Sequence, residues 1–296
     1  MHRTAYLLLL LTMLFWAGNA IAGKLAVGHI SPMLLVTLRW LMAAILAAWL
    51  ARAKLQRDWP AIRSNLPFLF LLGTAGFTGF NAALYSALNF TTAINVSIEQ
   101  AGLPMVIFLA NFLLFRMKAS WLQILGVLLT ILGIGLTASH GDFSRLAGLD
   151  LNLGDALMIL AVLSYGGYSV ALRFKPVIHW TTTILVLSIA AFISSIPFAA
   201  WEYAAGGMIL PDKTGWAIAL FTAIFPSILG QVFYIWGNEM IGSNRAGLFI
   251  NLVPIFGTLL SILLLGEAFE AFHAVAIVLV LGGIWLAEHS GRKLAA

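Results

Sequence analysis

LFWAGNAIAGK, Leu14 to Lys24, returns as LSYGGYSVALR, Leu163 to Arg173, after a shift of about 150 residues. Three further matches keep the order and the offset. YSALN (Tyr85 to Asn89) falls on YIWGN (Tyr234 to Asn238), Pro104 falls near Pro254, and Gly133 near Gly283. A chain that matches itself once along its whole length reads as a duplication, so the two halves share one architecture.

Both halves are apolar. The 296 residues are 61% hydrophobic and 9% charged, with a mean hydropathy of +0.99. Soluble domains are about 45–50% apolar and about 25% charged, so the chain reads as a membrane protein. A spanning helix needs about 20 mostly apolar residues. Ten segments qualify: 4–22, 32–51, 67–89, 93–115, 120–139, 153–173, 181–201, 215–238, 244–265 and 271–288. Five spans per half is an odd number, so the second half enters the membrane from the opposite side. The expected fold is an all-α integral membrane protein, with ten transmembrane helices arranged as two five-helix inverted-topology repeats, residues 1–145 and 146–296, around a central cavity. Inverted repeats are the architecture of secondary transporters, whose substrate site lies near midplane between the halves.

The net charge of +5 and pI near 9.7 follow from topology. With the N-terminus inside, the inner segments hold twelve basic residues: Arg3, Arg52, Lys54, Arg57, Arg63, Arg116, Lys118, Arg173, Lys175, Arg245, Arg292 and Lys293. The outer loops hold three, Lys24, Arg145 and Lys213, and Arg39 lies within the second span. This bias predicts cytoplasmic termini. No basic stripe interleaved with aromatics suggests nucleic acid. The N-terminus resembles a signal peptide with a cleavage site at Ala20-Ile21-Ala22, but its apolar run is longer than a usual h-region and its loss breaks the repeat, so it reads as the first span.

Several function classes fall away. Without cysteine there are no disulfides or thiolate sites, and the six histidines lie in tails, loops or helix ends, none spaced for a metal. No extramembrane stretch exceeds about 15 residues and no GxxxxGK[ST] loop is present, so neither a nucleotide-binding domain nor an ATPase subunit is implied. An intramembrane enzyme needs a Ser/His pair, a metal cluster or paired acids, and the sequence offers no deep histidine and no second deep acid. No cofactor is expected, and one chain already supplies both halves, so the expected state is a monomer in the lipid bilayer.

Polar residues recur on single helix faces, three, four or seven apart. Thr12, Trp16, Asn19 and Gly23 share a face of span 1, and Tyr165 and Tyr168 take the repeat positions in span 6. Asn81, Tyr85 and Asn89 line span 3; Ser227, Gln231, Tyr234 and Asn238 line span 8. Asn95 and Glu99 stack in span 4 beside Gln100, and Asn251 lies in span 9. Spans 1, 3, 4, 6, 8 and 9 therefore read as cavity wall, and the nearly featureless spans 5 and 10 as scaffold. Gly73, Gly76 and Gly79 read as close helix packing. Pro104 and Pro254 either break spans 4 and 9 at midplane or kink them.

Glu99 is the one acid far from a predicted span end, and an ionised acid there costs about 2.5–3.5 kcal/mol unless it has water, a partner or a proton. Arg39 is a candidate partner, each being roughly 11 Å deep at 1.5 Å per residue. The other roles open to Glu99 are contact with a substrate ammonium group and proton coupling.

FWAGN in span 1 with Lys24 closing it, Arg39 in span 2, the prolines of spans 4 and 9, and the LLLGEAF turn at Leu263 to Phe269 together resemble the drug/metabolite transporter superfamily, the EamA-type exporters in particular. Within that group the chain is similar to the YddG-type amino-acid exporters of the bacterial inner membrane. The resemblance covers the whole chain and implies a ten-helix basket, alternating access, and export of amino acids or related metabolites. The second half departs from the pattern at Tyr165 and Tyr168, and the first half has Arg116 and Met117 where the GE turn belongs. The expected substrates are neutral and aromatic amino acids, held by Trp16, Asn19, Asn81, Tyr85, Glu99, Tyr165, Tyr168, Gln231, Tyr234 and Asn238, with Arg39, Glu99, Pro104 and Pro254 in structural or coupling roles. An exporter of cationic drugs is the nearest rival, since aromatic rings also hold cations.

Overall fold

The computed structural model describes residues 2–116, 120–142, 152–242, 245–246 and 249–295. Lys118, Arg145, the predicted start of span 9 at Asn244 and the junction between the predicted halves lie outside them. Among the described residues every regular element is helical. In hydrocarbon a chain must satisfy its backbone polar groups within each segment, and a helix does so.

Among the described residues, eight spans are long and apolar enough to cross a membrane. They are α1 (Arg3–Leu25), α2 (Pro32–Ala51), α4 (Leu66–Ala87), the pair α5 (Ala93–Gln100) and α6 (Leu103–Phe115), α7 (Trp121–Ala138), α8 (Leu153–Phe174), α9 (Trp180–Ala204) and α10 (Lys213–Ile241). Two shorter apolar stretches follow, α11 (Leu252–Leu265) and Ala271–Ala287 of α12 (Ala271–Ala295). A short amphipathic helix without a spanning stretch, α3 (Leu55–Ser64), precedes α4. Large apolar side chains face outward along the spans, among them Leu113, Trp121 and Leu263, each more than 70% exposed. That surface suits lipid and not water.

Acids near span ends turn out to be caps for helices distant in sequence. Glu202 accepts from Ser31 Oγ at 2.6 Å and from the Met33 and Leu34 amides at 3.3 and 3.2 Å, at the start of α2. Glu267, in the LLLGEAF turn, accepts from the Ala93 and Ile94 amides at 2.8 and 2.9 Å and so caps α5. Asp58 of α3 accepts from the His179 amide at 2.8 Å, before α9. Burial pushes the Asp58 carboxyl up, but hydrogen bonds from His179, Thr182 and Arg57 together hold it below the usual aspartate value. Each carboxylate meets orphan amides at the positive end of a helix dipole. Lys24 does the opposite, donating to the Leu88 and Thr91 carbonyls at 2.8 and 2.7 Å just past the end of α4.

The spans pack in corresponding pairs: α1 lies along α10 as α8 lies along α4, α2 lies along α9, α5 meets α11, and α7 runs against α12. The α7–α12 contact is backbone on backbone. A Cβ on Gly283 would stand 2.5 Å from the Gly126 carbonyl oxygen, so only glycine permits this approach.

Candidate functional site

Two spans leave α geometry halfway. α4 takes a π turn at Thr74–Gly79 and α10 takes one at Phe225–Leu229. A π turn inserts one residue into the ladder and re-aims the side chains that follow. Both turns border one cavity of about 390 Å³, to which they give Gly76 and Phe77 on one side and Pro226 and Ser227 on the other. Two more interruptions reach the same space. The chain breaks between α5 and α6 at Ala101 and Gly102, and Pro104 is the second residue of α6; Asn251 precedes α11, and Pro254 is its third residue. Proline has no N–H to return to the carbonyl four residues earlier, so it fits the first turn after a break and not a helix interior. Of the two readings of the prolines, the structure has the break, and Gln100, Ala101, Pro104, Asn251 and Pro254 all line the cavity.

Arg39 of α2 sits on the cavity wall, 5% exposed. Its Nε donates to Ser227 Oγ at 2.8 Å, and its Nη1 donates to Asn19 Oδ1 and Asn81 Oδ1, each at 2.7 Å, with the Tyr85 hydroxyl also close. Tyr85 donates in turn to Asn19 Oδ1 at 2.8 Å. The guanidinium is thus oriented by three other spans, α1, α4 and α10, and every partner is neutral. Nη2 has no hydrogen-bond partner among the described residues, and no described acid pairs with Arg39. The Trp40 ring centroid lies 4.9 Å from Cζ, close enough for a cation–π contact.

Aromatic rings form the rest of the wall. Trp16 and Tyr234 have centroids 5.3 Å apart, Phe80 and Tyr165 are 5.0 Å apart, and Tyr165 and Tyr168 are 5.2 Å apart. Gln100, Gln231 and Asn251 add amide groups. The volume falls in the range of about 300–1,000 Å³ typical of small-molecule sites. A cavity with one fixed cation, several amides and aromatic walls can hold a small anionic or zwitterionic molecule.

The sequence profile of the EamA-like transporter family matches residues 3–139 and again residues 152–288. The chain belongs to the EamA-like transporter family. As an EamA transporter it is a multi-pass membrane protein that moves small molecules. It is 27% identical to the uncharacterized transporter YetK of Bacillus subtilis over 95% of this chain and 86% of that one. It is 25% identical to a probable amino-acid metabolite efflux pump of Salmonella typhimurium over 97% of this chain and 95% of that one. A solved crystal structure superposes over 99% of both chains with a TM-score of 0.65 at 21% identity, which shows a shared fold.

Of the residues picked from the sequence, this EamA transporter brings Trp16, Asn19, Asn81, Tyr165, Tyr168, Gln231 and Tyr234 to the cavity lining. Tyr85 and Asn238 are not in it. Tyr85 lies behind Arg39, and Asn238 stands further along α10 with a buried, unpartnered Oδ1. Glu99 also lies outside the lining, and the Arg39–Glu99 pair does not form. Equal depth placed them together, but Glu99 is on the face of α5 turned toward α8, where Asp155 is its neighbour. His273 and Asp155 are buried, 4% and 1% exposed, but each is the third residue of its helix and so stands near a span end, as the sequence indicates. Trp40, Phe77 and Phe80 line the cavity without having been picked, since an aromatic in an apolar span carries no mark of the side it faces.

Proposed function

We propose that this transporter is a secondary exporter of amino acids, aromatic and other neutral ones foremost, and that Arg39 holds the substrate carboxylate. The observation that carries this reading is the buried guanidinium on the cavity wall, whose partners are neutral and whose Nη2 has no partner among the described residues. Arginine stays protonated in any such setting. A charge without a counter-ion in the membrane is costly and marks a substrate pathway, and the free edge of a guanidinium fits a carboxylate. Trp16, Phe80, Tyr165, Tyr168 and Tyr234 offer stacking area for the side chain, and the amide oxygens of Gln100, Gln231 and Asn251 are acceptors for the ammonium group. The rival reading, export of cationic drugs, meets the same charge. A cation about 6 Å from the guanidinium is repelled by about 3 kcal/mol at an effective dielectric near 20.

Two family matches in one chain and the corresponding helix pairs support ten spans in two inverted repeats, residues 1–145 and 146–296. Alternating access then consists of one half rocking against the other about the cavity. The excess of basic residues on one side supports cytoplasmic termini in a bacterial inner membrane, and a single chain with both halves supports a monomer. The YddG-type exporters are the subgroup we assign; the Salmonella relative is named a probable amino-acid metabolite efflux pump.

Counterflow in proteoliposomes tests this. Vesicles preloaded with unlabelled phenylalanine take up labelled phenylalanine transiently above equilibrium, and vesicles preloaded with tetraphenylphosphonium do not. The absence of an overshoot with every neutral amino acid contradicts the assignment.

A further inference from the structure

Outside the cavity, a second polar cluster is buried where α5, α8 and α12 meet. Glu99 is 1% exposed, and neither of its carboxylate oxygens has a hydrogen-bond partner among the described residues. The side chain facing it is Asp155, near the start of α8, also 1% exposed. Asp155 Oδ1 accepts from Thr91 Oγ1 at 2.8 Å, while Oδ2 has no hydrogen bond and lies 3.7 Å from His140 Nε2. His140 stands on the turn after α7 with a third of its side chain exposed. Asn95 donates to Thr91 Oγ1 at 3.1 Å, and its Oδ1 lies 3.1 Å from His273 Nε2. His273 Nδ1 accepts from the Glu270 amide at 2.9 Å, so Nε2 carries the hydrogen and donates to Asn95.

Three buried acid oxygens in one cluster thus have no donor among the described residues, which native proteins rarely tolerate. A single proton changes this, because a carboxylic acid donates and a carboxylate accepts. The other titratable groups around α5 are already engaged. Lys24 serves the Leu88 and Thr91 carbonyls, Glu267 caps the helix, and His273 is held between Glu270 and Asn95. Asp142 stands on the His140 turn, and neither α7 nor α11 carries an acid, a base or a histidine.

We infer that Glu99 and Asp155 form a proton-binding pair, loaded through His140 from the face opposite the termini, and that this pair couples transport to a pH gradient. The proton passes from solvent to His140 Nε2, on to Asp155 Oδ2 and then to the oxygen it shares with Glu99; no other bond forms or breaks. Coupling runs through the backbone. Glu99 adjoins Gln100 and Ala101, which line the cavity, and the Glu99 carbonyl accepts from the Gly102 amide at 2.9 Å across the break between α5 and α6. The coupling rests on the transport reading of the cavity, whereas the proton site does not.

Two measurements separate them. Infrared spectroscopy of the purified full chain should show a carboxylic-acid carbonyl band that shifts in deuterium oxide and is absent from both Glu99→Gln and Asp155→Asn. His140→Gln should slow the deuterium shift by about 10²-fold, the lower end for a positioned proton-transfer group. In proteoliposomes, an imposed pH gradient should accelerate phenylalanine transport by the wild type and leave Glu99→Gln at its gradient-free rate. A band that survives in both folded variants overturns the proton site. A band lost in both variants, with wild-type transport indifferent to the gradient, overturns the coupling. If the band behaves as expected and no amino acid crosses, the substrate assignment fails and the proton site stands.

Discussion

Arg39→Ala abolishes saturable amino-acid counterflow while leaving a folded, monodisperse protein. Removing one side of a buried, hydrogen-bonded charge pair costs about 2–5 kcal/mol, which is roughly thirty- to several-thousand-fold in affinity. Folding is hurt less. Asn19, Asn81, Tyr85 and Ser227 lose their donor, but Asn19, Asn81 and Ser227 border the cavity and Tyr85 keeps its bond to Asn19, so water entering the vacated space can replace the guanidinium. Arg39→Lys keeps the charge and loses the planar fork, so binding falls between the two. Titrating phenylalanine into wild type, Arg39→Lys and Arg39→Ala in detergent, with melting curves on the same samples, checks both the ranking and the fold. Equal affinity in all three removes Arg39 from the binding site.

Gly76→Ala changes what the cavity accepts. A Cβ at Gly76 would overlap the Tyr168 ring near its attachment carbon, where rotation about the ring axis cannot clear it. Tyr168 must therefore swing away as a whole, and the open side is the cavity. A displaced phenol occupies the volume that an aromatic substrate would use, so phenylalanine and tryptophan should lose at least about tenfold in affinity, roughly 1.4 kcal/mol, while alanine and serine are little affected. Forcing atoms into a packed site costs about 1–3 kcal/mol, so the melting temperature also drops. Competition by a series of amino acids of increasing size, in wild type and variant, measures the shift. A uniform loss for all sizes contradicts the placement of Tyr168 on the substrate wall.

The cavity wall was legible where polar residues interrupt apolar spans. Trp16, Asn19, Gln231 and Tyr234 stand out because lipid gives an amide or a phenol no partner, and helical spacing gathers them on one face. Periodicity alone missed the π turns at Thr74–Gly79 and Phe225–Leu229. Each adds a residue to the count and so shifts the face of everything that follows relative to what precedes; from Phe80 to Ala87 the helix is regular, and Tyr85 is off the cavity because it stands one turn beyond Asn81, behind Arg39. Two signals pointed that way, the three glycines from Gly73 to Gly79 and Pro226, but glycine also marks close packing, as at Gly73 against the Leu187 carbonyl. Glu99 was misplaced for a different reason. Depth in the bilayer can be counted along a helix, whereas the direction a side chain takes across the bundle depends on neighbours that no single span encodes. Glu267 and Lys24, conspicuous in the sequence as motif residues, prove to be helix caps.

The central claim is that Arg39 receives a carboxylate. The most direct measurement compares phenylalanine with phenylalaninamide as competitors of labelled phenylalanine counterflow in wild-type proteoliposomes. The two share ring and ammonium group and differ in the carboxylate. Phenylalanine is predicted to compete fully, and the amide to be weaker by about 2 kcal/mol or more. Equal competition by the amide would contradict the account.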